Sequence, residues 1–207
     1  MSPMLVKDKV FILKATRYGD SDLILNCLNS KGARVSLFAR SALKSKKRFG
    51  GGVLEPTHYV NVMYEEKNSP SSSESRLGTL KEASLVESFP GLRTDYARIE
   101  TALHVVNLVG TVIREGEVDA GDIFNLLGNT LRAIESSDIS AGSVKLDHLR
   151  THFEVKLLAN QGVLPVEDIE EQQLLSVPIS ENEKIELADE EWRRLRIRIR
   201  QILSDYL

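Results

Sequence analysis

Seven cations, Lys31, Arg34, Arg40, Lys44, Lys46, Lys47 and Arg48, lie between Leu23 and Leu54 with no Asp or Glu among them. In a chain of formal net charge −3, that run needs a reason. Clustered Lys and Arg suit a polyanion, above all a nucleic-acid backbone, where each contact gains free energy by releasing condensed counterions. Neutralising a phosphate needs no fixed geometry, so cations on an adaptable loop serve, and Gly50-Gly51-Gly52 follows the run. Arg34 and Arg40, six apart, share one face if ARVSLFAR is a strand. Tyr18, Phe38 and Phe49 are the aromatics placed to stack on bases. Phe38 is assigned to the strand face opposite Arg34 and Arg40, hence to the core, which leaves Phe49 as the better platform. The expected nucleic-acid contacts are therefore Arg34, Arg40, Lys44, Lys46, Lys47, Arg48 and Phe49. Nothing points to base-edge readout, so binding should be largely sequence-independent. A solvated loop, or an adaptor surface that docks an acidic protein, is the alternative use of the same charges.

A second cluster, WRRLRIRIRQ (192–201), puts Arg193, Arg196 and Arg200 on a helix with Arg194 and Arg198. These residues form a possible second basic patch for DNA or an acidic peptide. Pairing with acidic groups of their own domain is the leading alternative.

Other chemistries find little support. Cys27 is the only cysteine, so neither an internal disulfide nor a cysteine zinc site can form, and its apolar neighbours mark it as a core thiol. His148 and His152 are four apart but lack a visible third ligand, and they are expected on the wet side of their helix. The glycine triplet lacks the Gly-Lys-Ser/Thr of a phosphate loop. No Ser or Cys nucleophile has a sequence-visible base, and no carboxylate pair sits in an apolar setting. The chain reads as a non-enzyme without metal or cofactor. MSPMLVKDKVFILK lacks the apolar core of a signal peptide, and no stretch reaches the roughly 18–20 apolar residues of a membrane span. A cytoplasmic location is expected.

The elements that must carry these residues change character along the chain. VFILKA (10–15), DLILNCLN (22–29), ARVSLFAR (33–40), HYVNVMYEE (58–66) and LGTLKEASLVES (77–88) are short, rich in β-branched or aromatic residues, and separated by turn chemistry. Asn29-Ser30-Lys31-Gly32 suits a hairpin in which Gly32 takes positive φ, and NSPSSSESR (68–76) reads as a low-complexity loop. Five such strands suit a small barrel. After Phe89-Pro90-Gly91 the period becomes helical: Ile99, Leu103, Val106, Val109 and Ile113; Ile123, Leu127, Leu131 and Ile134; Leu146, Leu149, Phe153 and Leu157. The third helix should stop at Gly162 in a left-handed cap, and a last helix should run over 189–206 with Trp192, Leu195 and Ile199 inward. Residues 1–80 hold 13 Lys and Arg against 7 Asp and Glu, a balance of +6, whereas the remainder holds 14 against 23, a balance of −9. The expectation is an α+β chain with a basic β-barrel domain over 1–85 and an acidic helical domain over 86–207.

Four stretches in order, FILKATRYGDSDLIL (11–25), KSKKRFGGGVLEP (44–56), FPGLRTDYARIETALHVV (89–106) and HFEVKLLANQGVLP (152–165), resemble the RecO recombination-mediator proteins. The resemblance implies an N-terminal OB fold followed by a helical domain, and a role in DNA repair and recombination. It further implies binding of single- and double-stranded DNA, annealing of complementary strands, and partnership with RecR to help load RecA. The DNA is coated by the single-strand-binding protein, whose acidic C-terminal tail the family's helical domain binds. Many members carry a four-cysteine zinc site after the Gly-x-x-Pro; here VEDIEEQQLLS stands in that place without cysteine. Residues 166–186 must therefore be held by apolar packing or be loose.

Overall fold

The structure, a computed structural model, describes residues 4–50, 52–66, 77–113, 121–138, 144–165 and 168–207. Five strands come first: β1 (Met4–Tyr18), β2 (Asp22–Asn29), β3 (Arg34–Ala39), β4 (Tyr59–Glu66) and β5 (Leu77–Glu87), with a one-turn helix α1 (Lys46–Phe49) between β3 and β4. They close into a barrel in the order β1-β2-β3-β5-β4, antiparallel except for the β3–β5 pair. This is the OB architecture expected from the strand count and the resemblance. The loop read at 68–76 lies outside the described residues.

β1 is longer than its sequence signal because it serves two neighbours. Residues 4–11 pair with β4, and residues 10–18 pair with β2. A register shift between Ile12 and Lys14 makes Leu13 an extra residue in the ladder, a β-bulge. Before the bulge Val6, Val10 and Ile12 point into the barrel; after it Ala15 does, so the inward parity switches. The residues in between, Phe11 and Leu13, are buried on the outer side. Phe11 packs on Tyr59 and Phe124, with ring centroids 4.9 Å away in both cases. That outer apolar patch explains why VFILKA reads as apolar without alternation.

The helical elements are α2 (Tyr96–Val112), α3 (Gly121–Ser136), α4 (Val144–Asn160), α5 (Ile169–Ser176) and α6 (Asp189–Tyr206), with 3-10 turns at Pro90–Thr94 and Ile179–Lys184. The chain forms two compact units. The first is Met1–Phe89 together with Val106–Phe124, and the second is Pro90–Val105 together with Asn125–Leu207. The division falls after β5, and the C-terminal half of α2 goes with the barrel. Gly110 marks that approach, since a Cβ there would stand 3.8 Å from the Leu13 side chain.

In the second unit α4 is the central helix. Leu146, Leu149, Phe153, Val155, Leu157 and Leu158 are all buried, which covers more than one face and narrows the solvent side of its second half to Lys156, Ala159 and Asn160. Gly162 ends it with φ +68. The Gly162 amide donates to Ala159 O and the Val163 amide to Leu158 O, closing a Schellman cap. The buried Glu154 is held by hydrogen bonds from His104 Nε2 at 2.8 Å and Arg150 Nε at 2.9 Å. Burial pushes its pKa up, but those two donors and their charges outweigh burial and leave it below the usual carboxylate value.

Central placement also corrects the reading of the two histidines. His148 stacks on Trp192 with centroids 4.1 Å apart and planes 7° from parallel. His152 has no exposed surface. Its Nε2 lies 2.7 Å from Leu174 O and its Nδ1 lies 2.9 Å from Oδ1 of the Asn182 side-chain amide. A neutral ring protonated on Nε2 donates to Leu174, and it accepts from Asn182 when the NH2 of that amide faces the ring. Lys156 Nζ adds a hydrogen bond to Leu175 O at 2.9 Å, and Arg198 pairs with Asp168 and with the fully buried Glu171. Residues 168–186 are thus neither loose nor held by apolar packing alone: polar side chains of α4 and α6 bind their backbone and carboxylates. Val166 and Glu167 lie outside the described residues.

Burial, above all, lowers the His152 pKa to about 4. An unfolded histidine titrates near 6.5, so below that pH the unfolded chain takes up a proton that the folded chain refuses. The neutral-ring contribution is full above pH 6.5 and is lost as pH falls toward 4. Between pH 7.5 and 5 this site alone should cost about 2 kcal/mol of stability. His148, whose pKa burial also lowers, acts in the same direction, so the comparison needs the His152→Gln variant. Urea denaturation followed by helical circular dichroism should show a shallower pH slope for His152→Gln than for wild type; equal slopes would show that His152 does not titrate this way.

Candidate nucleic-acid interface

The basic run is packed against the barrel at several points. Ala42, Phe49 and Leu54 all belong to the barrel's hydrophobic core, so the segment between β3 and β4 folds in at three points. Ser41 takes a positive φ of 54 and its amide donates to Asp22 Oδ1 at 2.7 Å; the Leu43 amide donates to Ser21 O at 2.9 Å. Ser45 caps α1, its Oγ accepting from the Arg48 amide at 3.4 Å. The chain then returns to β4 through Thr57, a β-branched residue at φ 78, whose amide donates to Ile12 O at 3.0 Å.

Within this frame the expected contacts divide. Arg40, Lys44, Lys47 and Arg48 are exposed. Arg48 is also oriented: its Nη2 donates to Arg40 O at 2.9 Å, its Nε donates to Ser45 Oγ at 3.3 Å, and its guanidinium lies 5.0 Å from the Phe49 ring centroid. Lys46 is in α1, but its side chain lies outside those described, as does Gly51. Arg34 is half-buried and donates from Nη1 to Gly110 O at 3.1 Å, so it ties the C-terminal half of α2 to the barrel.

Both aromatic assignments reverse. Phe49 is 5% exposed and lies inside the barrel core, so it offers no face to a base. Phe38 stands on the outer face of β3 instead, because Val35, Leu37 and Ala39 are the inward residues. Residues 34, 38 and 40 have the same parity, and the strand alternation alone could have placed Phe38 beside the arginines. Tyr18 at the end of β1 is 58% exposed and meets Phe38 edge-on, with centroids 6.0 Å apart and planes at 85°. Tyr18 and Phe38, across β1, β2 and β3, are the aromatic surface on this side of the barrel.

The arginines of α6 are mostly engaged within their own unit. Arg196 pairs with Asp147 at 3.5 Å, Arg194 with Glu170 at 3.4 Å, and Arg198 with Glu171 at 3.2 Å. Arg193 lies 3.9 Å from Glu190, both exposed, and Arg200 is exposed. The possible patch Arg193, Arg196 and Arg200 therefore loses Arg196 to an internal pair. Among the described residues no three His, Cys, Asp or Glu side chains converge as metal ligands. The family's zinc has no fit here, since the segment lacks cysteine and the buried His152 already has two partners. Cys27 is fully buried, and burial raises its thiol pKa, so it stays protonated.

The reversal of the aromatics has a measurable consequence. Phe49→Ala should cost about 3–5 kcal/mol in chemical denaturation, as for a large core side chain. Tyr18→Ala, at an exposed position, should cost less than about 1 kcal/mol. Similar losses for both would contradict the assignment.

Residues 1–89 match the family model described as "Recombination protein O N terminal". Three DNA repair proteins named RecO are similar over most of the chain. That of Alkaliphilus metalliredigens is 29% identical over 162 residues, covering 78% of this chain and 60% of its own length. That of Anaeromyxobacter sp. strain K is 33% identical over 154 residues, covering 74% and 56%. That of Syntrophus aciditrophicus is 30% identical over 162 residues, covering 78% and 58%. The chain thus spans rather more than half the length of these relatives. With a matching N-terminal model, an OB-type barrel and a helical unit that follows it, the chain belongs to the RecO family.

Proposed function

We propose that this chain is a recombination mediator in DNA repair that binds single-stranded DNA, and duplex DNA as well, through its phosphate backbone. The observation that carries the reading is the turn after β3, where exposed Arg40, Lys44, Lys47 and Arg48 stand on a segment anchored in the barrel core by Phe49. Four cations on a segment packed into the core present charge to phosphates without base-specific geometry, so affinity rests on counterion release and falls with salt. Tyr18 and Phe38 add a surface on which bases can stack, a contact of about 1–3 kcal/mol per base.

Family membership supports the remaining roles, which we propose as an extension of the same reading. Neutralising two strands at once lowers their mutual repulsion, which is the electrostatic requirement for annealing. The chain acts with RecR to help RecA onto DNA coated by the single-strand-binding protein, whose acidic tail meets the helical unit. It works without catalytic chemistry, zinc or other cofactor, in the cytoplasm at the nucleoid. Among the described residues no helix is long and apolar enough to cross a membrane.

Fluorescence anisotropy of a labelled single strand against salt tests the proposal. For single strands the slope of log K against log salt is about −0.7 per phosphate neutralised, so Lys44→Gln with Lys47→Gln should flatten it by about 1.4. Affinity should rise as the oligonucleotide lengthens through the site size. An unchanged slope in the folded double variant, or affinity independent of oligonucleotide length, would point instead to a surface for an acidic protein.

A further inference from the structure

Beside α1 the barrel carries an open groove of about 1170 Å³ that the turn after β3 only borders. It crosses the outer faces of β1, β4 and β5, away from the β2–β3 surface on which Phe38 lies. Strand register lays its surface out in two rows. Lys9 of β1 is paired with Asn61 of β4, which is paired with Ser84 of β5. One step along, Lys7 is paired with Met63, and Met63 with Glu82. Lys7 and Lys9 are both exposed, and Lys47 and Arg48 line the groove where α1 packs beside β5. Cations therefore stand at its two ends. Between them are the uncharged polar groups of Asn61 and Ser84, the Asn61 amide donating to Ser84 Oγ at 3.4 Å.

We propose that this groove carries the continuation of the bound single strand: its sugar-phosphate backbone runs from Lys47 and Arg48 across β5 and β4 to Lys9 and Lys7. The proposal rests on the nucleic-acid reading of the preceding subsection and gives the strand its path. Adjacent strands of a sheet lie about 4.8 Å apart, so the crossing from β5 to β1 is about 10 Å, a reach that one strand segment covers and a single phosphate does not. Among the described residues no aromatic side chain lines the groove, so contact there is with the backbone rather than by stacking, and it is indifferent to base identity. Among the described residues two carboxylates border it. Asp8 accepts from Ser30 Oγ at 2.6 Å and from the Lys9 amide at 2.7 Å, which turns it to local bonding. Glu82 lies in the row with Lys7 and opposes an anion, so it should weaken binding.

The test uses the full chain, a labelled single strand of about 20 nucleotides, and one of about 6, which is near the short end of the site sizes for an OB fold. Lys7→Gln with Lys9→Gln should flatten the salt slope by about 1.4 for the long strand and leave the short one nearly unchanged. Glu82→Gln, the opposite change of charge in the same groove, should tighten binding of the long strand. The path is overturned if Lys44→Gln with Lys47→Gln flattens the slope but Lys7→Gln with Lys9→Gln does not, or if Glu82→Gln weakens binding. It is also overturned if the two lysines matter only for an oligo-glutamate peptide, since the groove then belongs to an acidic protein. Absence of any salt-dependent binding by the wild type is a different result, which removes the nucleic-acid reading itself.

Discussion

Burial of Phe49 in the barrel core is the contact on which the candidate interface depends. A basic loop in solvent would average over many conformations, and each cation brought to a phosphate would give up that freedom on binding. Here Ala42, Phe49 and Leu54 enter the same core as Val10, Leu25 and Val60, so the intervening cations are positioned by hydrophobic packing. Arg48 shows the result most clearly, because its guanidinium lies against Phe49 while it donates to Arg40 O. The aromatic ring serves the interface from beneath, as an anchor.

The barrel that receives Phe49 depends in turn on the bulge at Leu13. Without the parity switch there, β1 could not turn Val6 and Val10 inward beside β4 and still direct Ala15 inward beside β2. The same switch leaves Phe11 outward and buried against Tyr59 and Phe124. Fold and interface share a cause, a long first strand that serves two neighbours.

Much of this was legible in the chain itself. Alternation and turn residues located the strands, and the helix over 189–206 and the left-handed cap at Gly162 followed from local rules that tertiary packing does not override. What failed was assignment of faces. For Phe38 simple alternation does decide the face, beside Arg34 and Arg40 and against a core assignment, whereas Phe49 lies in a turn where no periodicity says which way a side chain points. A helix with one apolar stripe predicts a solvent side for His152; α4 is central, and only the tertiary arrangement shows it. The cysteine-free segment posed the same difficulty, since the groups that hold it, His152, Lys156 and Arg198, come from elements well before and after it.

The central claim is that DNA lies on the exposed cations of the anchored turn, and lysine footprinting tests it most directly. The chain would be acetylated briefly, free and saturated with a single-stranded oligonucleotide, and the modified lysines read by mass spectrometry. The account predicts that Lys44 and Lys47 lose reactivity on binding while Lys145 and Lys184 of the helical unit keep theirs. Full reactivity at Lys44 and Lys47 with the oligonucleotide bound would contradict it.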